Sequence, residues 1–132
     1  MRYLLDTDWV INWMNGKKVF LEKIEELRNN GLAISIISMA EIYEGVYGSK
    51  NPARHESVFT DFLSGVTIIE LSEGVCKKFG ELRNSMRKTG LLIGDFDLLI
   101  AATALENNFI LLTDNEKHYK KIAGLSLKTS SG

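Results

Sequence analysis

Five acids carry the chemistry this sequence could perform: Asp6 in "LLDTD", Glu41 in "SMAEIYEG", Asp95 and Asp97 in "IGDFDLLIAATAL", and Asp114 in "LLTDN". Each stands at the border of an apolar run, where an ionised carboxylate resists leaving water unless it gains a partner. Taken singly, each has an ordinary structural use. Asp6 suits a helix N-cap. Glu41 lies three residues after Ser38, the spacing of a capping box. Asp95 and Asp97 flank the start of an apolar helix, and Asp114 suits a cap or turn. Taken together they suggest more. Like charges gathered in one crevice repel unless a cation joins them. Hard carboxylate oxygens suit Mg²⁺ or Mn²⁺, and an ion held that way is equipped for phosphoryl chemistry.

The flanking elements decide whether the acids can meet. "RYLLD" has the pattern of a short buried strand, followed by a helix from about Thr7 with Trp9 and Trp13 one turn apart. A second helix spans roughly 17–29, with Phe20, Ile24 and Leu27 on one face and Gly31 as its stop. Residues 32–37 form the second strand, and Ser38 opens a helix to about Tyr47. A helix over 53–63 and a strand over 66–71 follow. The next helix starts at Ser72, turns Val75, Phe79, Leu82 and Met86 inward, and ends at Gly90. Residues 97–107 form a helix apolar nearly all round; 109–113 is the fourth strand and 125–127 offers a fifth.

Continuously apolar strands alternating with helices imply a parallel sheet covered on both faces. The expected fold is therefore a three-layer α/β/α domain with a central, mainly parallel sheet of four to five strands. Ligands of such folds bind beyond the carboxyl ends of the strands. Asp6, Glu41 and Asp114 all fall just past a strand end, and Asp97 opens a helix that can point to the same edge.

The 132 residues suffice for one domain, 1–132, and 45% hydrophobic content is enough for a real core. The closing "KTSSG", residues 128–132, is expected to fray. No stretch is apolar enough to span a membrane. Asp6 and Asp8 interrupt what would be the core of a signal peptide, and the single cysteine, Cys76, has no internal partner. A cytoplasmic location is the expectation. The net charge of −1 does not announce a nucleic-acid binder. With Asp6, Glu41, Asp97 and Asp114 set aside, however, 13 acids face 16 Lys and Arg. Basic residues gather at Lys77, Lys78, Arg83, Arg87 and Lys88, and again at Lys117, His118, Lys120 and Lys121. Arg83 and Arg87 are the candidates for phosphate contact.

The segments "LLDTDWVI", "ISMAEIYEG", "FDLLIAATAL" and "LLTDN" occur in the order found in PIN-domain ribonucleases, and the chain most resembles their VapC-type toxins. The resemblance spans nearly the whole chain. It implies a metal-dependent endoribonuclease in which Asp6, Glu41 and Asp97 hold Mg²⁺ or Mn²⁺ and water attacks the RNA phosphodiester. In "GDFDLLIA" the family's acid is the one directly before "LLIA", which selects Asp97 over Asp95. The fourth acid of the family falls on Asp114 or one place later, where this chain has Asn115. Thr7 and Thr113 resemble the small hydroxyl residues that line such sites. The resemblance also implies a homodimer and a cognate antitoxin protein, received on exposed apolar residues of the first helices such as Trp13 or Val19.

Two other readings stay open on sequence alone. "DTDWV" fits the nucleophile motif of haloacid-dehalogenase-like phosphatases, although Glu41 would then have no task. A non-enzymatic binding domain would use every acid as a cap. Cys76 in mid-helix, and His55 and His118 outside any motif, lend no support to a cysteine or serine hydrolase.

Overall fold

The computed structural model describes residues 2–132. Five strands form one parallel sheet: β1 (Tyr3–Leu5), β2 (Leu32–Ser35), β3 (Thr67–Ile69), β4 (Ile110–Leu112) and β5 (Leu127–Lys128), in the order β3-β2-β1-β4-β5. Around it lie α1 (Thr7–Met14), α2 (Lys18–Leu27), α3 (Ile36–Tyr47), α4 (Pro52–Leu63), α5 (Glu73–Thr89), α6 (Asp95–Glu106) and α7 (Glu116–Tyr119), with a short 3-10 turn at Arg28–Asn30. The expected three-layer α/β/α architecture is what the chain adopts.

Alternation along the central strands builds two cores, one on each face of the sheet. Leu5, Ile34 and Leu112 point to α1–α4, where they meet Trp9, Phe20, Phe59 and Phe62. Their neighbours Leu4, Ala33 and Leu111 point to α5–α7 and pack with Leu98, Ala101, Ala104 and Tyr119. The small residues of α6 explain why it is apolar nearly all round: Ile100, Ala101, Ala102 and Ala104 are all wholly buried. Burial of this kind contributes about 25 cal/mol per Å² of apolar surface removed from water.

Several boundaries differ from the sequence reading. The isoleucine-rich run reads as strand through residue 37, but β2 ends at Ser35, and Ser35, not Ser38, caps α3 by accepting from the Ser38 N–H at 3.0 Å. β-branched residues fit a strand or a helix when burial is available, so the run gave no stop signal. Helix α6 begins two residues early, at Asp95, with Gly94 as its cap. The four-residue α7 went unanticipated, since one turn carries no period. The closing segment makes contacts of its own. β5 pairs with β4, and the Ser130 N–H donates to Asp114 at 2.7 Å.

Candidate active site

Asp6 follows the central strand β1, which is flanked by β2 and β4, and its own N–H continues the sheet by donating to the Leu112 carbonyl at 2.9 Å. As N-cap of α1, it receives the Thr7 N–H on Oδ1 at 2.9 Å. Its other oxygen accepts from the Thr113 hydroxyl at 2.6 Å. Only 5% exposed, this carboxyl is pushed up from 3.8 to about 7, first by burial and then by the neighbouring charges of Asp8 and Asp97, against the two hydrogen bonds that lower it.

Glu41 stands in the second turn of α3. Because Ser35 is the cap, Glu41 lies six residues beyond it and cannot complete a capping box. It accepts instead from the Thr7 hydroxyl at 2.7 Å, which joins α3 to α1. Asp97 sits in the first turn of α6, and His118 Nδ1 lies 3.4 Å from its Oδ2. Neither Asp95 nor Asp97 caps α6 with its side chain. Asp114 follows β4 and accepts from the buried Trp9 indole N–H at 3.2 Å.

These side chains line one crevice of about 420 Å³ at the carboxyl edge of the sheet, formed by Asp6, Thr7, Asp8, Ile11, Glu41, Asp97, Asp114 and Asn115. The sequence reading thus brings Asp6, Glu41, Asp97, Asp114, Thr7 and Asn115 to one place, with Thr113 buried directly behind Asp6. Arg83 is not among them. Its guanidinium donates to Asp95 at 2.6 Å and lies over the Phe79 ring. Arg87 is exposed on α5. Trp13 is half-buried and packs its ring against Phe62 at 4.9 Å, whereas Val19 is 49% exposed.

Three residues of the neighbourhood lie outside the site set expected from sequence. Asp8 lines the crevice with its Oδ1 buried and unpartnered, and burial followed by the Asp114 charge pushes its pKa up. The Asp-x-Asp spacing was its only signal. His118 reaches Asp97 although it belongs to no motif, and Asn115 Nδ2 lies 2.9 Å from the same ring nitrogen. Tyr119 is wholly buried, and burial, then the Asp6 and Asp97 charges, hold its hydroxyl in the protonated form.

Among the described residues, no three acid, histidine or cysteine side chains already stand in the compact spacing of a formed metal centre. The donor set nevertheless fits a hard divalent cation. It is made of carboxylate oxygens, the adjoining Asp8 carboxylate has one oxygen buried without a partner, and Asp6 is destabilised as an anion by burial and by the charges beside it. A cation relieves all of these at once. No lysine lines the crevice, so the phosphatase reading lacks its cationic partner.

The PIN domain family model matches residues 3–125. The chain is 38% identical over 130 residues to Ribonuclease VapC2 of Rickettsia felis, covering 97% of both chains. It is 34% identical over 127 residues to Ribonuclease VapC1 of Haemophilus influenzae strain R2866, covering 95% of both. The structure is similar to a chain of the Rickettsia felis VapBC2 crystal structure bound to a promoter DNA fragment, with a TM-score of 0.93, 37% identity and 98% of each chain covered.

Proposed function

The chain belongs to the PIN domain family, and from that premise we propose that it is the endoribonuclease toxin of a VapBC-type toxin–antitoxin pair. The observation that carries the reading is the convergence of Asp6, Glu41 and Asp97, from three separate elements, on one crevice at the carboxyl edge of the sheet. A non-enzymatic domain that uses its acids as caps does not account for Glu41 or Asp97, neither of which caps a helix.

In this reading Asp6, Glu41 and Asp97 hold a divalent cation, Mg²⁺ or Mn²⁺. Such an ion, when bound, activates water for attack on phosphorus and offsets charge on the scissile phosphate. The chain's own residues do the rest. Thr113 and the Thr7 N–H fix both oxygens of Asp6, and the Thr7 hydroxyl aims Glu41. Exposed Arg87, with the basic residues near it on α5, is the residue we assign to backbone phosphates. Single-stranded or looped RNA is the substrate class, because the open crevice must admit a splayed backbone. Attack by water with the P–O3′ bond breaking and the 3′-oxygen leaving as a hydroxyl gives a 3′-hydroxyl and a 5′-phosphate.

Among the described residues no helix is long and apolar enough to cross a membrane, and the place of action we assign is the cytoplasm, where the RNA is. There the toxin needs restraint by an antitoxin. An acidic crevice invites an inhibitor that reaches in with Arg or Lys, and exposed Val19 offers its apolar stem a foothold. The test is expression of the chain alone and with the product of its adjacent gene. Growth arrest relieved by co-expression, and absent for Asp6→Ala, is the expected result. A wild-type chain that is harmless at high expression and leaves RNA intact with Mn²⁺ present overturns the proposal.

A further inference from the structure

Asp114 accepts three hydrogen bonds, against two at Asp6. Asp114 Oδ1 accepts from the Trp9 indole at 3.2 Å and from the Ser130 N–H at 2.7 Å, and its Oδ2 accepts from the Ser130 hydroxyl. A carboxylate offers about four lone-pair sites. Three of them are filled here, and a buried indole N–H left without its acceptor is costly. Coordinating a cation through both oxygens of this group would break contacts that the fold already uses.

The contacts lead somewhere. Ser130 closes a segment that begins with β5, whose Lys128 carbonyl accepts the Thr113 N–H at 3.1 Å. Thr113 in turn donates its hydroxyl to Asp6 at 2.6 Å, and its oxygen accepts the Asn115 N–H at 3.0 Å. The turn at 113–115 is therefore gripped twice by residues 128–130, once through Thr113 and once through Asp114. Trp9 fixes the same turn to α1, which Asp6 caps. We infer that Asp114 in this chain is a clamp rather than a metal ligand, and that Ser130 is a positioning residue that holds the Thr113 hydroxyl on Asp6.

The inference rests on the metal reading of Asp6, and the two fail separately: wild-type Mn²⁺ affinity in Asp6→Asn would refute that reading. The experiment is calorimetric titration with Mn²⁺ alone of the wild type, Ser130→Ala, Ser130→Thr, a chain stopped after Lys128, Asp114→Asn and the Asp114→Asn/Ser130→Ala pair. Each is first checked for cooperative unfolding, and Ser130→Ala, a small change at a surface segment, serves if the shortened chain does not fold. Ser130→Ala and the shortened chain alter no carboxylate. Both are expected to lose about tenfold in Mn²⁺ affinity, in the range typical of groups that orient a ligand. Ser130→Thr should restore it, and the pair should be no weaker than Asp114→Asn alone, because the two residues act as one unit. Wild-type affinity in Ser130→Ala overturns the inference. So does a loss in Asp114→Asn far larger than in Ser130→Ala with the two losses multiplying, which would make Asp114 a ligand in its own right.

Discussion

On one wall of the crevice Asp6 is 5% exposed, with a hydroxyl on one oxygen and a backbone N–H on the other, at 2.6 and 2.9 Å. On the opposite wall the Asp97 side chain is 29% exposed and meets His118 at 3.4 Å, long for a hydrogen bond. The first wall stands on the middle strand of the sheet and inherits its rigidity. The second stands on the opening turn of a helix, beside a histidine that is itself half-exposed. The difference divides the labour. Asp6 is fixed before anything binds, at the cost of a buried charge, while Asp97 keeps the freedom to close on a ligand. A substitution on the first wall should therefore alter both stability and activity, and one on the second should alter activity alone.

The sharpest break is Asp97→Asn against Asp6→Asn. Either change removes a charge from the proposed metal site while keeping side-chain shape. Loss of a ligand should exceed the tenfold to hundredfold typical of an outer residue, so RNA cleavage should fall by more than about 100-fold in both. Without metal, Asp97→Asn should melt close to the wild type, because its charge is the smallest of the causes that disfavour the Asp6 anion, whereas Asp6→Asn should be clearly the more stable protein at pH 8. Cleavage assays with and without EDTA, paired with melting curves, check both halves. Equal melting of all three proteins would erase the contrast between the walls.

The next effect is the pH dependence that Asp6 imposes. Its carboxyl releases a proton near 3.8 in the unfolded chain and near 7 when folded. Between those values the folded state holds more protons, so the stability of the metal-free protein falls as pH rises and levels off above about 7. The shift corresponds to roughly 4 kcal/mol. Urea unfolding from pH 4 to 8 should show this decline in the wild type and lose most of it in Asp6→Asn. Binding of Mn²⁺ needs the ionised form, so affinity should rise with pH through the same window. A wild type and an Asp6→Asn variant with parallel pH profiles would mean that Asp6 ionises normally.

The rigid wall was also the more legible one. "RYLLD" reads as a strand because its leucines leave no other use for a short apolar run, and the acid that ends it must then face the ligand edge of a parallel sheet. The alternation of strands and helices followed from apolar period in the same way. What stayed hidden depends on contacts distant in sequence. Glu41, named as a metal-holding acid, also kept a rival use as a capping residue because Ser38 stands three residues before it; only the true cap, Ser35, removes that rival. Ser130 holds Asp114 from 16 residues away, and a Ser-rich end gives no sign of it. His118 acquires its place through a one-turn helix too short to leave a pattern. Local sequence reports periodicity and stops; it does not report which far-off hydroxyl or imidazole will meet a carboxylate.

The smallest effect belongs to Asp95, the acid two residues before Asp97. Its carboxylate is paired with Arg83 at 2.6 Å, but the Asp95 side chain is 76% exposed while that of Arg83 is only 14% exposed. An ion pair with one partner in water contributes about 0.2–1 kcal/mol. Arg83 keeps its stacking on Phe79 whether or not the pair forms. Asp95→Asn should thus lower stability by less than about 1 kcal/mol and leave cleavage within a few-fold of wild type. The pair does tie α5 to the first turn of α6, on which Asp97 stands, so a small decrease in activity is expected. High salt screens an exposed pair, and the wild type at raised ionic strength should drift toward the variant's stability. A loss of cleavage as deep as that of Asp97→Asn would show that the opening turn of α6 needs both acids, and that the second wall is as tightly specified as the first.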